Sequence, residues 1–189
     1  NVRDPAIQVP GAPSRGQLAA GFLQSPDSAD HRAPGLLVAA EVFAPFNLLL
    51  ADDMDCEYVN NYPTPRPTTL APGLHGLSNG DLDEPWPKTV ALKQRLAAWL
   101  ATEEDDVSAL WQALADEAQA PDDRLPDTGV GRELERMLSP AFIRGDRYGT
   151  RASTLIAIDH AGYGWISGRR FGPGGVHEGE TSLRIGPGA

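Results

Sequence analysis

Cysteine occurs once in this sequence, at Cys56. An intrachain disulfide is therefore impossible and a cysteine-rich metal site is excluded. Lysine is almost as scarce, confined to Lys88 and Lys93, so arginine supplies the other positive charge. With 16 basic against 26 acidic residues the formal net charge is −10. That balance argues against a general nucleic-acid binder, because affinity for the phosphate backbone rests on clustered cations. No apolar run approaches the roughly 20 residues needed to cross a bilayer, and the N-terminus lacks a basic-then-apolar signal pattern. The expectation is a soluble, cytoplasmic protein with no transmembrane segment. An initiator Met is also missing: the chain opens Asn1-Val2-Arg3-Asp4-Pro5, which points to a fragment or processed product with residues missing upstream.

The usual chemical signatures are absent too. There is no phosphate loop, zinc signature, dinucleotide fingerprint or nucleophile elbow. Asp52, Asp53 and Asp55 cluster in a turn, but the glycine and distal glutamate of a calcium loop are missing, so a solvated hairpin turn is expected. His31 has no second ligand at a metal spacing, and His160 and His177 sit at turn positions, so all three are read as solvated. Cys56 has no nearby base and reads as a buried, inert thiol. Neither metal nor cofactor is expected. The oligomeric state is open.

What is present is a globular composition, 41% hydrophobic and 22% charged, broken by 20 glycines and 17 prolines. The length fits one domain over residues 1–189. Its most unusual stretch is His75 to Lys88, in which Gly76, Gly80, three acids and Pro85-Trp86-Pro87 follow no helix or strand period. Such a span is a shaped loop, and its Trp86 is either a packing anchor or one wall of a pocket.

The remaining chain reads in order. After an extended Asn1–Pro13, Ser14 and Gln17 have the capping-box spacing for a helix over Arg15–Leu23 that buries Leu18 and Phe22, with Leu23 a further candidate. Ser25–Gly35 reads as loop, and Gly35–Val42 as a short helix with strand left open. Phe46–Ala51, apolar throughout and so expected to be buried on both faces, and Cys56–Asn60 read as partner strands, and the proline-rich Asn61–Pro72 as an extended linker. A helix from Trp86 or Pro87 to Ala101 carries the stripe Leu92, Leu96, Trp99, Leu100, and Thr102–Asp106 follows as an acidic connection. A second helix, Val107–Ala118, carries Val107, Leu110, Trp111 and Leu114, and core packing is expected for both tryptophans. Leu125–Val130 is a further shaped loop before a helix over Arg132–Leu138, which Ser139-Pro140 ends. Ala141–Ile143 packs back as a turn, and Arg144–Tyr148 is exposed. Gly149–Asp159 holds the strongest strand signal, returned by Trp165–Phe171 and a final edge strand Val176–Ile185.

Arg151 precedes that strongest strand run, flanked by hydroxyls. An arginine entering a core-bound strand is costly without a carboxylate or ligand anion, so it is either a site residue or half of a salt bridge. With the side-chain amides of Asn1 and Asn79 it makes a set able to stabilise a developing oxyanion, as acyl transfer requires. A nucleophile is missing from the set.

Several of these stretches run in the order of a known family. Asn1-Val2-Arg3-Asp4-Pro5, Ser14-Arg15-Gly16, Phe46-Asn47-Leu48-Leu49, Gly76-Leu77-Ser78-Asn79, Asp83-Glu84-Pro85-Trp86-Pro87-Lys88, Leu125-Pro126-Asp127-Thr128-Gly129 and Tyr148-Gly149-Thr150-Arg151-Ala152-Ser153-Thr154 resemble the transport and Golgi organisation protein 2, or NRDE, family. That resemblance implies an N-terminal-nucleophile hydrolase-like α+β fold, a four-layer αββα sandwich, N-terminally incomplete here. The family begins with a cysteine followed by an Asn-Arg-Asp-Glu motif, and neither is present, so its presumed nucleophile is lacking. A more distant resemblance to bile-salt and penicillin amidases implies catalytic roles for Asn1, Asn79 and Arg151.

Whether the protein is an enzyme stays open. As a cysteine amidohydrolase it would act on C–N or thioester bonds. As a non-catalytic haem or lipid/acyl-CoA trafficking carrier it would hold a small-molecule ligand with Ser78, Trp86, Tyr148 and Arg151, the last pairing with a carboxylate. A scaffold, the third class, would keep these polar groups satisfied within the core.

Overall fold

Two three-stranded antiparallel sheets, each in its own unit of the chain, give the protein a mixed α+β fold. The computed structural model describes residues 1–4, 7, 9–38, 40–102 and 104–186. Outside them lie Pro5 of the opening motif with part of the expected extended arm, Ala39 of the 35–42 stretch and Glu103 of the acidic connection. One unit comprises residues 1–89 with 126–131, the other 90–125 with 132–189.

The first unit packs helices α1 (Gly16–Leu23) and α2 (Ala29–Val38) and a 3-10 turn (Ala40–Val42) on a sheet of β1 (Asn47–Ala51), β2 (Cys56–Asn60) and β3 (Arg66–Thr69). Leu18, Ala33, Leu36, Phe46, Leu50 and Val59 form its core, whereas Leu23, at the last turn of α1, is exposed, and so is Leu49, which leaves β1 covered on one face only. Fully burying a side chain such as Leu50 or Phe46 contributes about 1.5–3 kcal/mol.

Three expectations need correction here. Helix α2 begins at Ala29, inside the stretch read as loop, because the Asp52 carboxylate accepts the Ala29 N–H at 2.7 Å and caps it from 23 residues away. Ser14 does not build a capping box: its hydroxyl accepts from Gly16 N, and Gln17 N bonds the Ser14 carbonyl instead. The proline-rich linker is extended as read, but residues 66–69 pair with β2, Val59 opposite Pro67. An edge strand tolerates that proline because one side of it has no ladder to complete.

Helix α3 (Pro87–Leu100) starts at the end of the first unit and continues into the second, which adds α4 (Ser108–Leu114) and α5 (Arg132–Met137). Its sheet is a meander of β4 (Ala152–Ile158), β5 (Gly164–Phe171) and β6 (His177–Ile185), with Ile156 opposite Ile166 and Ile166 opposite Leu183. Trp111 is buried as expected, with the Arg169 guanidinium 4.0 Å from its ring centre. Trp99 is not core: it is half-buried, its indole N–H donating to the Asp106 carbonyl at 2.8 Å, and Leu100 beside it is exposed. Strand β4 forms as read, yet Ile156 and Ile158 are exposed together with Leu183 of β6, so this face is not the buried one that the apolar run suggested.

Candidate functional site

The loop from Gly76 to Trp86 is shaped by its own acids. Asp83 takes a left-handed conformation, φ 57°, and its backbone N–H donates to the Gly76 carbonyl while its carboxylate accepts the Gly76 N–H, at 2.7 and 2.8 Å. His75 lies between two acceptors, Nδ1 2.8 Å from Asp83 Oδ2 and Nε2 2.8 Å from the Ala71 carbonyl. Both partners are acceptors, so each ring nitrogen faces a group that calls for a donor. Glu84 closes the next turn by accepting the Asp81 N–H at 2.9 Å.

Strands β1 and β2 hold this loop from beneath. Asn47 donates to the Gly80 carbonyl at 2.7 Å, and the buried Tyr58 places its hydroxyl 2.9 Å from Asp81 Oδ1. Burial, with the Asp81 carboxylate beside it, pushes the Tyr58 phenol up to about 12. Asp81 is also partly desolvated, which would raise it. Bonds from the Arg66 guanidinium, Leu82 N–H and Tyr58 outweigh that and hold it below the ordinary carboxylate value.

The N-terminal residues lie along the loop. Asn79 Nδ2 donates to the Asn1 carbonyl at 2.8 Å, Arg3 N donates to the Asn79 carbonyl at 2.8 Å, and an Arg3 guanidinium N–H reaches Asn79 Oδ1 at 3.2 Å. That guanidinium carbon stands 5.2 Å from the Trp86 ring centre. Trp86 is 6% exposed, and its indole Nε1 has no hydrogen-bond partner. A methyl group added at Gly80 would fall 3.0 Å from indole Cζ2 and collide with the Glu84 carboxylate, so both groups lie against the same glycine.

These elements enclose a hollow of about 440 Å³, completed by Asp127 and Thr128 of the second shaped loop. Four acids line it, Asp4, Asp81, Glu84 and Asp127, against the single guanidinium of Arg3. Among the described residues no group of three or more His, Cys, Asp or Glu could hold a metal.

Of the residues singled out in the sequence, Asn1 and Asn79 are joined by a hydrogen bond, and Asn79 and Trp86 line the hollow. Trp86 is therefore both anchor and wall. Ser78 is half-buried and lies outside the lining. Tyr148 and Arg151 belong to the second unit, and both are exposed. Arg151 precedes β4 rather than entering a core, so the burial penalty inferred for it does not apply. Cys56 is half-buried, and burial with neighbouring Glu57 raises its thiol, which keeps it protonated and unreactive. Sequence reasoning missed the acids as a lining set, although the proximity of Asp81 and Glu84 to Trp86 in the chain was visible.

Comparison with known proteins sets this geometry in a family. The model of the Transport and Golgi organisation 2 family matches residues 1–172. The chain is 31% identical over 172 residues to the Transport and Golgi organization 2 homolog of Mus musculus, covering 82% of this chain and 61% of that protein. It is 33% identical over 167 residues to the Homo sapiens homolog, covering 80% and 60%. The Bos taurus homolog is 34% identical over 168 residues, with the same coverage of 80% and 60%. The chain thus spans about 60% of the length of these curated relatives. It belongs to the Transport and Golgi organisation 2 family.

Proposed function

We propose that the hollow beside Asn79 and Trp86 is a small-molecule site and that the chain is the ligand-holding part of a non-catalytic cytoplasmic carrier. The observation that supports this reading is the indole N–H of Trp86, buried without a partner on a side chain that lines the hollow. A buried donor left unpaired costs about 1–3 kcal/mol, a penalty that a bound acceptor removes. Family membership is consistent with a carrier, since the relatives are named for transport. The αββα stacking of the two sheets is part of the same proposal. A haem or acyl cargo would bring its carboxylate or phosphates against four acids and the one guanidinium of Arg3 in the lining of the hollow, which disfavours either there.

Amidohydrolysis is the second reading. It is favoured by Asn79, whose Nδ2 has donated one of its two protons to Asn1 and keeps the other for an oxyanion. Asn1 and Arg151 would assist, and the attacking thiolate would come from a cysteine upstream, because Cys56 is held protonated.

Indole 15N NMR tests the carrier. The Trp86 Nε1–H resonance, assigned by its disappearance in Trp86→Phe, should shift on titration with small amides while their C–N bonds stay intact. Turnover of an amide by a longer gene product that carries an N-terminal cysteine would transfer the weight to the hydrolase, and an unmoved Trp86 resonance would remove the hollow from either reading.

A further inference from the structure

We infer that the hollow selects a cationic ligand, a small molecule carrying an ammonium or amidinium group together with a carbonyl-type hydrogen-bond acceptor. This rests on the reading of the hollow as a binding site, and it narrows the ligand to a class that neither haem nor an acyl-CoA belongs to.

The charge of the lining carries the first half. Arg3 is engaged with Asn79 Oδ1 and with the Trp86 ring, and Arg66, outside the lining, is paired with Asp81 at 2.8 Å. Asp81 is further bonded by Tyr58, and Asp4 accepts the Tyr62 hydroxyl at 2.9 Å. Glu84 and Asp127 differ from these. Their hydrogen bonds come from backbone N–H groups, of Asp81 and Gly129, and among the described residues no cation meets either carboxylate. Both residues are exposed and both line the hollow, so their carboxylates are open to a ligand.

Trp86 carries the second half independently. Its Nε1 lies on the same indole edge as Cζ2, the atom held against Gly80, and Gly80 lines the hollow. A buried N–H on that edge calls for an acceptor, which a lone cation lacks. The Glu84 carboxylate lies against the same glycine, so one short molecule can place its acceptor at the indole and its cation at the carboxylate. Tenancy by an anion would add its charge to four carboxylates with only guanidinia already engaged to oppose it.

The test uses three probes alike except at one end: N-acetylputrescine, cationic; N-butylacetamide, neutral; and N-acetyl-4-aminobutyrate, anionic. Each is titrated into the chain while the Trp86 indole resonance is followed. N-acetylputrescine is expected to bind about tenfold more tightly than the neutral probe, and the anion more weakly than both. An exposed charge pair at contact distance in water is worth about 1 kcal/mol, or roughly fivefold in affinity. Glu84→Gln and Asp127→Asn, which keep the acceptor for the backbone N–H, should therefore each lower the affinity for the cation severalfold more than the affinity for the neutral probe. Raising the salt concentration on the wild-type chain should do the same without any substitution. If Trp86 responds equally to all three probes, or most strongly to the anion, the charge selection is wrong and the hollow stands as a binding site. If Trp86 responds to none of them, the site reading falls, and the selection with it.

Discussion

The Tyr58 hydroxyl, buried on β2, lies 2.9 Å from the Asp81 carboxylate, and this contact ties the sheet to the loop that walls the hollow. Asp81 in turn accepts from Arg66 of β3 at 2.8 Å, so two strands hold one carboxylate. The loop is positioned by polar contacts from the sheet as well as by its own turns.

Replacing Tyr58 by Phe should destabilise the first unit by about 1–2 kcal/mol, because Asp81 loses a buried donor. In the wild type the phenol is pushed up to about 12 from an ordinary 10. A group raised in the folded state stabilises fully below its unfolded value and loses that contribution as pH climbs from 10 through about 12. Ultraviolet titration should therefore show a tyrosine ionising late, and Tyr58→Phe should remove that component. A titration in which all tyrosines ionise together would contradict the contact.

Asp52 serves two elements. Its Oδ2 caps α2 at Ala29, and its Oδ1 accepts the Met54 and Asp55 N–H groups of the hairpin turn, both at 2.9 Å. These backbone bonds hold its carboxyl below the ordinary 3.8. The stabilisation is present above 3.8 and fades as pH falls through the lower folded value. Asp52→Ala should cost about 1–2 kcal/mol in urea unfolding at neutral pH and flatten the acid limb of the stability profile. An acid limb unchanged by the substitution would assign that limb to other carboxylates.

Asn79→Ala removes one bond to the Asn1 carbonyl and one to the Arg3 guanidinium, but leaves the backbone bond from Arg3 N. The expected loss is about 1 kcal/mol. Hydrogen exchange should quicken at Val2, whose N–H bonds Pro45, more than at Arg3. Equal protection of the two amides in both proteins would show that the side chain does not hold the N-terminal residues.

Asp83→Ala combines two losses, the acceptors for Gly76 N and His75 and the tolerance of a left-handed backbone at φ 57°. About 2–3 kcal/mol is expected, from the lost bonds and the strain together. Asp83→Asn, which accepts that conformation and keeps a carbonyl for Gly76, should cost less than half as much. Equal loss for the two variants, measured by urea unfolding, would place the whole effect on the charge rather than the backbone.

Much of the fold was legible because it follows local rules. The pair β1 and β2, the meander of β4 to β6, helix α3 with its proline start and the hairpin turn at Asp52 all carry patterns that repeat over a few residues. The start of α2 was not legible, since its cap comes from Asp52, which propensity within 28–31 cannot report. Neither was the pairing of Arg66 to Thr69, because the prolines that argue against a strand are harmless on an edge. Trp99 and Trp111 had equal claims to a core by periodicity, and only packing separated them: one fixes its indole on a loop carbonyl, the other lies buried under Arg169.

The candidate site divides the same way. Sequence alone determined that residues 75–88 form a shaped loop, that Trp86 is held between two prolines and that the chain resembles a particular family, since each is a property of residue type and order along the chain. Tertiary structure decided that Asn79 grips the carbonyl of Asn1 from 78 residues away, that Tyr58 and Arg66 share Asp81, and that Trp86 is buried with its N–H unpaired while its side chain lines a hollow with four acids. Those are relations of distance and solvation between segments remote in sequence, and they come into being only when the strands have paired and water has left the space between them.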